Sequence, residues 1–137
     1  MGRGMELGLL GPKQILSDED LVVSQDEVKE YLGAIPDSSK EYIDYQIVPP
    51  LALVAFALAR AMKILSLPAG TIHTGQEANF SAGIKIGDLV RCTIQMEQNS
   101  TRNGFRFVKL GLSVSDGTGE GVRAVTSLII PENGEQL

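Results

Sequence analysis

Apolar and polar residues alternate through three stretches in the second half of the chain. Val90, Cys92, Ile94 and Met96 alternate with Arg91, Thr93, Gln95 and Glu97. Val108, Leu110, Leu112 and Val114 alternate with Lys109, Gly111 and Ser113. Val122, Ala124, Thr126, Leu128 and Ile130 keep the same period. Successive side chains of a strand point to opposite faces, so this period predicts strands with one buried face. The expected strands are Thr71–Ala82, Leu89–Gln98, Phe105–Val114 and Gly121–Ile130. Asn99–Gly104 and Asp116-Gly117-Thr118-Gly119 supply hairpin residues between them. Lys85-Ile86-Gly87-Asp88 reads as a turn, and Pro131-Glu132-Asn133-Gly134 ends the sheet. The layout expected from this order is a four-strand meander.

Leu51–Ala59 contains no polar residue, and Arg60 is the first to follow. Pro49-Pro50 ahead of it disfavours helix before and permits helix after. A helix starting at Pro50 is therefore predicted. It is apolar all round, which marks a buried helix. Burying its large side chains is worth about 1.5–3 kcal/mol each, so a sheet should wrap it. Further upstream, Ser24-Gln25-Asp26-Glu27 has the form of a capping box. A short helix over Gln25–Leu32 should follow, ended by Gly33, with Val28, Tyr31 and Leu32 on its apolar face. Ala34–Val48 reads as loop, with turn residues in Ile35–Ser39. Met5–Asp20, interrupted by Gly8, Gly11 and Pro12, reads as an irregular lead-in. The fold class is α+β, one domain over residues 1–137 with 1–20 as lead-in. An open sheet leaves edges that proteins usually pair or protect, so a dimer is expected.

A chain of 137 residues suits one domain with its own core. The net charge of −5 and the lack of a Lys/Arg cluster argue against a nucleic-acid partner. The single Cys92 excludes an intramolecular disulfide and falls on the apolar side of its strand, as a core thiol would. The carboxylates from Asp18 to Glu30 read as a solvated, cap-rich region, and no residues have metal-ligand spacing. The longest apolar run is far shorter than the roughly 20 residues of a membrane span. No leader is read at the N-terminus. A soluble, cytoplasmic protein is expected, without a membrane partner.

Several motifs, in order, resemble the MaoC-like dehydratase and (R)-specific enoyl-CoA hydratase branch of the hot-dog superfamily. They are Val48-Pro49-Pro50-Leu51 at the helix start, His73-Thr74-Gly75-Gln76-Glu77, Ile86-Gly87-Asp88-Leu89-Val90, Arg102-Asn103-Gly104-Phe105-Arg106-Phe107-Val108, and Asp116-Gly117 with Ile130-Pro131. The resemblance covers roughly residues 20–131 and is closest to the non-catalytic half-domains that sit beside a catalytic half. It implies a curved antiparallel sheet around a central helix. It also implies binding of an acyl thioester on coenzyme A or acyl carrier protein, with no cofactor beyond what the substrate carries. The implied partner is a second hot-dog subunit, identical or catalytic. Active members hydrate or dehydrate the thioester with a loop close to Gly-Asp-x-Asn-Pro-x-His. Water addition needs one group to take a proton and another to deliver one. The matching stretch is Pro36-Asp37-Ser38-Ser39-Lys40-Glu41-Tyr42, with Asp37 on the Asp and Tyr42 on the His. A tyrosine has a reference pKa near 10 and is a poor base at neutral pH.

The resemblance makes Asp37, Tyr42 and His73 the catalytic candidates, and Pro50, Gly75, Arg102 and Arg106 the substrate-binding ones. Each has a plainer reading beside it. Asp37 can make an Asx turn, Tyr42 can be a partly buried aromatic, and His73 can be a structural residue at a strand start. Gly75 can serve a bulge, and the arginines can be solvated loop charges. A degenerate or partner-dependent hydratase subunit fits best. The alternatives are a hot-dog thioesterase using Glu77 or Asp37, and an assembly or ligand-binding module without catalysis.

Overall fold

The computed structural model describes residues 7–33, 40–81, 83–119 and 121–132. A 3-10 turn over Leu7–Leu9 leads into strand β1 (Ile15–Val22). Helices α1 (Gln25–Gly33), α2 (Lys40–Asp44) and α3 (Pro50–Leu65) follow. Strands β2 (Ile72–Phe80), β3 (Leu89–Arg102), β4 (Phe105–Ser115) and β5 (Gly121–Pro131) complete the order. All pairings are antiparallel, and the sheet order is β1-β3-β4-β5-β2.

The three alternating stretches fold as their period requires. Val90, Cys92, Ile94 and Met96 of β3, Val108, Leu110, Leu112 and Val114 of β4, and alternate residues of β5 form the buried face. Asn103 and Gly104 close the β3–β4 hairpin, both with positive φ (54° and 82°). That is the geometry whose twist matches the flanking strands. The capping box of α1 is made reciprocally. Ser24 N–H donates to Glu27 Oε1 at 3.2 Å, and Glu27 N–H donates to Ser24 Oγ at 3.2 Å.

Four features differ from the sequence expectation. The lead-in holds strand β1, whose edge pairs Leu21 with Val90 and Asp18 with Thr93. Its run Ser17-Asp18-Glu19-Asp20 hides the period, because the carboxylates pair with basic side chains on both faces. Arg91 Nε donates to Asp18 at 2.7 Å, and Arg60 of α3 donates to Glu19 at 2.5 Å. The second difference is topological. β3, β4 and β5 are a meander, but β2 pairs with β5 and not with β3. Segment 83–88 instead passes the start of α3, tied by Val48 N–H to the Ile84 carbonyl (2.9 Å) and Ile86 N–H to the Gln46 carbonyl (2.8 Å). Turn residues mark where a strand ends and say nothing of which neighbour it meets. Third, part of the loop before α3 is helical, as α2.

The fourth difference concerns α3. Its start at Pro50 is as expected, but it is not buried all round. Leu53, Ala57, Ala61 and Leu65 repeat every fourth residue and lie buried against the sheet, joined by Ala52 and Val54. Leu51 is 55% exposed, and Ala55, Leu58 and Met62 are half-buried. The sheet covers one face of α3 and leaves an apolar flank open.

Candidate functional site

The two flanks of α3 are finished differently. On the β1 side, Arg60 reaches Glu19 and the Phe56 ring meets Tyr31 of α1 edge-on, with centroids 6.3 Å apart. That side is closed. The opposite flank carries Leu51, Ala55, Leu58 and Met62, spaced four, three and four residues apart in one stripe. It looks toward β2, because β1 and β2 are the two edges of the sheet.

β2 supplies the other wall of this opening. Gln76 pairs with Thr126, Ala78 with Ala124 and Phe80 with Val122, all on the buried face of β5. Cross-strand partners share a face, so Gln76, Ala78 and Phe80 point to the α3 side. Thr126 is fully buried and its hydroxyl is satisfied by Gln76 Oε1 at 3.3 Å. Eight of the nine residues of β2 are exposed, Ala78 being the exception. The open flank of α3 and the facing residues of β2 are taken as the two walls of the candidate groove. Two hollows of about 300 Å³ each lie on the other face of the sheet, one around Glu77, Gln95 and Arg123, the other around Asn79, Ser115 and Gly119. They are shallow dips among solvent-facing side chains, away from α3.

The candidate residues fall at separate places. Asp37 lies outside the described residues. Tyr42 sits on α2, partly buried and packed on the core, and its carbonyl accepts Ile47 N–H at 2.8 Å. It also helps to hold the Tyr31 phenol above its ordinary value, behind the main cause, which is burial. Pro50 is the first residue of α3 and borders a small crevice with Leu53, Ser81 and Gly83. That crevice fixes the orientation of the groove, since the Phe80 end of β2 lies by the start of α3. His73 is then at the far end, about 20–25 Å along the strand. Within one chain, His73 and Tyr42 do not meet.

Gly75 follows a register shift between His73 and Gly75, which is a β-bulge. A Cβ on it would meet nothing within 4 Å, so the glycine is not there for a close approach. His73 Nε2 lies 3.1 Å from the Gly75 carbonyl oxygen. Arg102 lies over the Phe107 ring at 5.3 Å on the convex face, not in the groove. Arg106, the other arginine of the substrate-binding candidates, is engaged within the chain. Its Nε and Nη2 donate to the Glu132 carboxylate at 2.9 and 3.1 Å, and its Nη1 donates to Asn99 at 2.6 Å. Asn99 in turn donates to the Leu7 and Leu10 carbonyls. The guanidinium is a strut that ties the N-terminal segment to the end of the sheet. Among the described residues, no group of His, Cys, Asp and Glu has metal-binding geometry. No helix among them is long and apolar enough to cross a membrane.

The profile of a protein family, the FAS1-like dehydratase domain region, matches residues 13–125. The chain belongs to this family. No curated protein sequence matches it. Solved structures do. The unliganded (R)-hydratase PhaJ1 from Pseudomonas aeruginosa superposes with a TM-score of 0.74 at 17% identity, covering 94% of this chain and 87% of that one. The (R)-hydratase from A. caviae involved in PHA biosynthesis gives 0.69 at 16%, covering 90% and 98%. The C-terminally truncated HadBC complex, a 3R-hydroxyacyl-ACP dehydratase from Mycobacterium tuberculosis, gives 0.62 at 15%, covering 88% and 99%. At these identities the likeness is one of fold. This member of the dehydratase-region family has the α+β hot-dog fold, with α3 as its central helix. The groove beside α3 escaped sequence reasoning, because a helix without a polar face gives no hint of which flank stays open.

Proposed function

We propose that this chain is an acyl-thioester-binding subunit of a hydratase or dehydratase, whose chemistry requires a second hot-dog chain. The carrying observation is the open apolar flank of α3 facing the unpaired edge of β2. Leu51, Ala55, Leu58 and Met62 match the hydrocarbon chain of an acyl thioester on coenzyme A or acyl carrier protein. Family membership and the likeness to (R)-hydratases support this substrate class. The dehydratase HadBC is itself a complex. Dependence on a partner follows from the histidine count. The chain has one histidine, and it lies far from the loop preceding α3. Loss of a positioned general acid–base costs about 10²–10⁴-fold in rate. Tyr42 in that loop region supplies no imidazole.

The test has two parts. Calorimetry should show binding of crotonyl-CoA or a crotonyl-carrier protein; absence of binding to both favours a pure assembly module. Hydration of crotonyl-CoA should follow association with a second chain. Robust hydration by a form shown to be monomeric, abolished by Asp37→Ala, contradicts the reading. Release of free thiol from acyl-CoA, with no hydration, identifies a thioesterase instead.

A further inference from the structure

The outer face of the sheet carries an apolar row near the β3–β4 hairpin. Phe107 pairs with Ile129 and Ile129 with Ile72, and none of the three belongs to the buried side. Cross-strand partners share a face, so the three form one row across β4, β5 and β2. Ile72 is 58% exposed. The next row is polar and thin, because Lys109 pairs with Ser127 and Ser127 with Gly75. A Cβ on Gly75 would meet nothing within 4 Å, so that end of the row is open. Where the two rows meet lies a hollow of about 200 Å³, lined by Thr74, Gln98, Phe107, Lys109, Ser127 and Ile129. The bulge between His73 and Gly75 brings Thr74 round to it. The Thr74 hydroxyl donates to the Ser127 carbonyl at 3.3 Å.

Two cations stand at this hollow without a carboxylate. The Arg102 guanidinium lies 5.3 Å from the centre of the Phe107 ring. Lys109 follows Phe107 on the same face of β4, about 7 Å along the strand. Neither makes an ion pair among the described residues, whereas Lys13, Arg60, Arg91 and Arg106 all do. Glu77 and Glu97 come next on this face, one row beyond Lys109, and Glu97 is engaged by Lys13 at 3.3 Å. In a chain of net charge −5, two neighbouring unpaired cations make a local positive field.

We propose that this hollow binds a single-ring aromatic anion, its ring resting on Ile129 beside Phe107 and its carboxylate or phosphate held between Arg102 and Lys109. Size sets the ring count. A dry cavity of about 150 Å³ accepts benzene, so about 200 Å³ takes one ring with its charged group. Drug-sized ligands need about 300 Å³ or more. Chemistry sets the charge. The Phe107 ring holds the guanidinium by a cation–π contact, so its planar fork of donors is in place before an anion arrives. Lys109 adds a point charge on the other side. A ring without a charge, or a charge without a ring, fills only half of the site. The hollow lies on the opposite face of the sheet from α3. It is therefore separate from the acyl-thioester groove, and failure of crotonyl-CoA to bind would leave it standing.

Amide chemical shifts test the site residue by residue. Titration of benzoate and of phenyl phosphate into isotope-labelled wild type should move the Phe107, Lys109, Ser127 and Ile129 amides saturably. The tighter of the two identifies the anionic group as carboxylate or phosphate. Benzamide keeps the ring without the charge, and acetate keeps the charge without the ring. Each should bind at least about tenfold more weakly, as should the tighter anion to Arg102→Met and to Lys109→Met. Ser127→Leu, which fills the hollow, should abolish the shifts. Melting temperatures of the variants should match the wild type; where one falls, the comparison with benzamide and acetate, made on the wild type, decides. Absence of saturable shifts with both anions overturns the proposal. So do equal affinities for benzamide or acetate, shifts that map to α3 instead, and binding that survives in both Arg102→Met and Lys109→Met.

Discussion

Asp18 and Arg106 show how differently two ion pairs behave on the same sheet. Arg91 and then Thr93 hydrogen-bond to the Asp18 carboxylate and hold it down to about 2, from 3.8. The pair is solvent-exposed, at 54% and 40%, so its effect belongs to the pH profile and not to a large stability term. A depressed carboxylate contributes stability above its unfolded value and loses it as pH falls through the folded one. The difference in melting midpoint between wild type and Asp18→Asn should therefore shrink as pH falls from 3.8 to about 2. A difference constant over that window contradicts the assignment. Arg106 is 14% exposed and bridges Glu132 and Asn99. Arg106→Met should cost about 1–3 kcal/mol in urea unfolding, because Glu132 and Asn99 lose their donors. If the residue instead bound substrate and little else, stability would be unchanged.

At the scale of elements, strand faces were legible in the sequence and strand partners were not. The β3, β4 and β5 faces follow from a period of two. The placement of β2 beside β5 does not, because segment 83–88 passes the start of α3 in residues that read as a turn. Ile84 in that segment is buried and anchors it under Val48. β1 was missed because its carboxylates suit solvent better than a sheet, until Arg60 and Arg91 are in place. The end of the β4–β5 hairpin gives a sharper test. Gly121 has φ of 148°, and a Cβ there would fall on the Val114 carbonyl oxygen and the Ser115 backbone. Backbone cannot swing aside as a side chain can. Gly121→Ala should destabilise by about 1–3 kcal/mol or more, whereas Gly117→Ala, with nothing within 4 Å, should change little. Equal melting temperatures for the two variants contradict the register of that hairpin.

On the scale of the whole molecule, the fold leaves one job undone. The sheet covers one face of α3, α1 and β1 close one flank, and the other flank is an apolar stripe toward the free edge of β2. The sequence announced the central helix at Pro50 and the loss of histidine from the loop before it. It did not announce the open flank, since burial of a uniformly apolar helix has no direction until the sheet order is known. A sheet edge of nine residues with one carboxylate favours association, and sedimentation at micromolar concentration should give a dimer or larger species. A monomer there contradicts self-association and leaves only a different chain as the partner.

The central claim is that the α3 flank holds an acyl thioester. Titration of crotonyl-CoA into wild type and Leu51→Arg by calorimetry tests it most directly, since Leu51 is exposed enough to change without loss of the core. The account predicts binding by the wild type and at least about tenfold weaker binding by the variant, roughly 1.4 kcal/mol, at an unchanged melting temperature. Equal affinity in the two proteins, or no binding by the wild type, would contradict it.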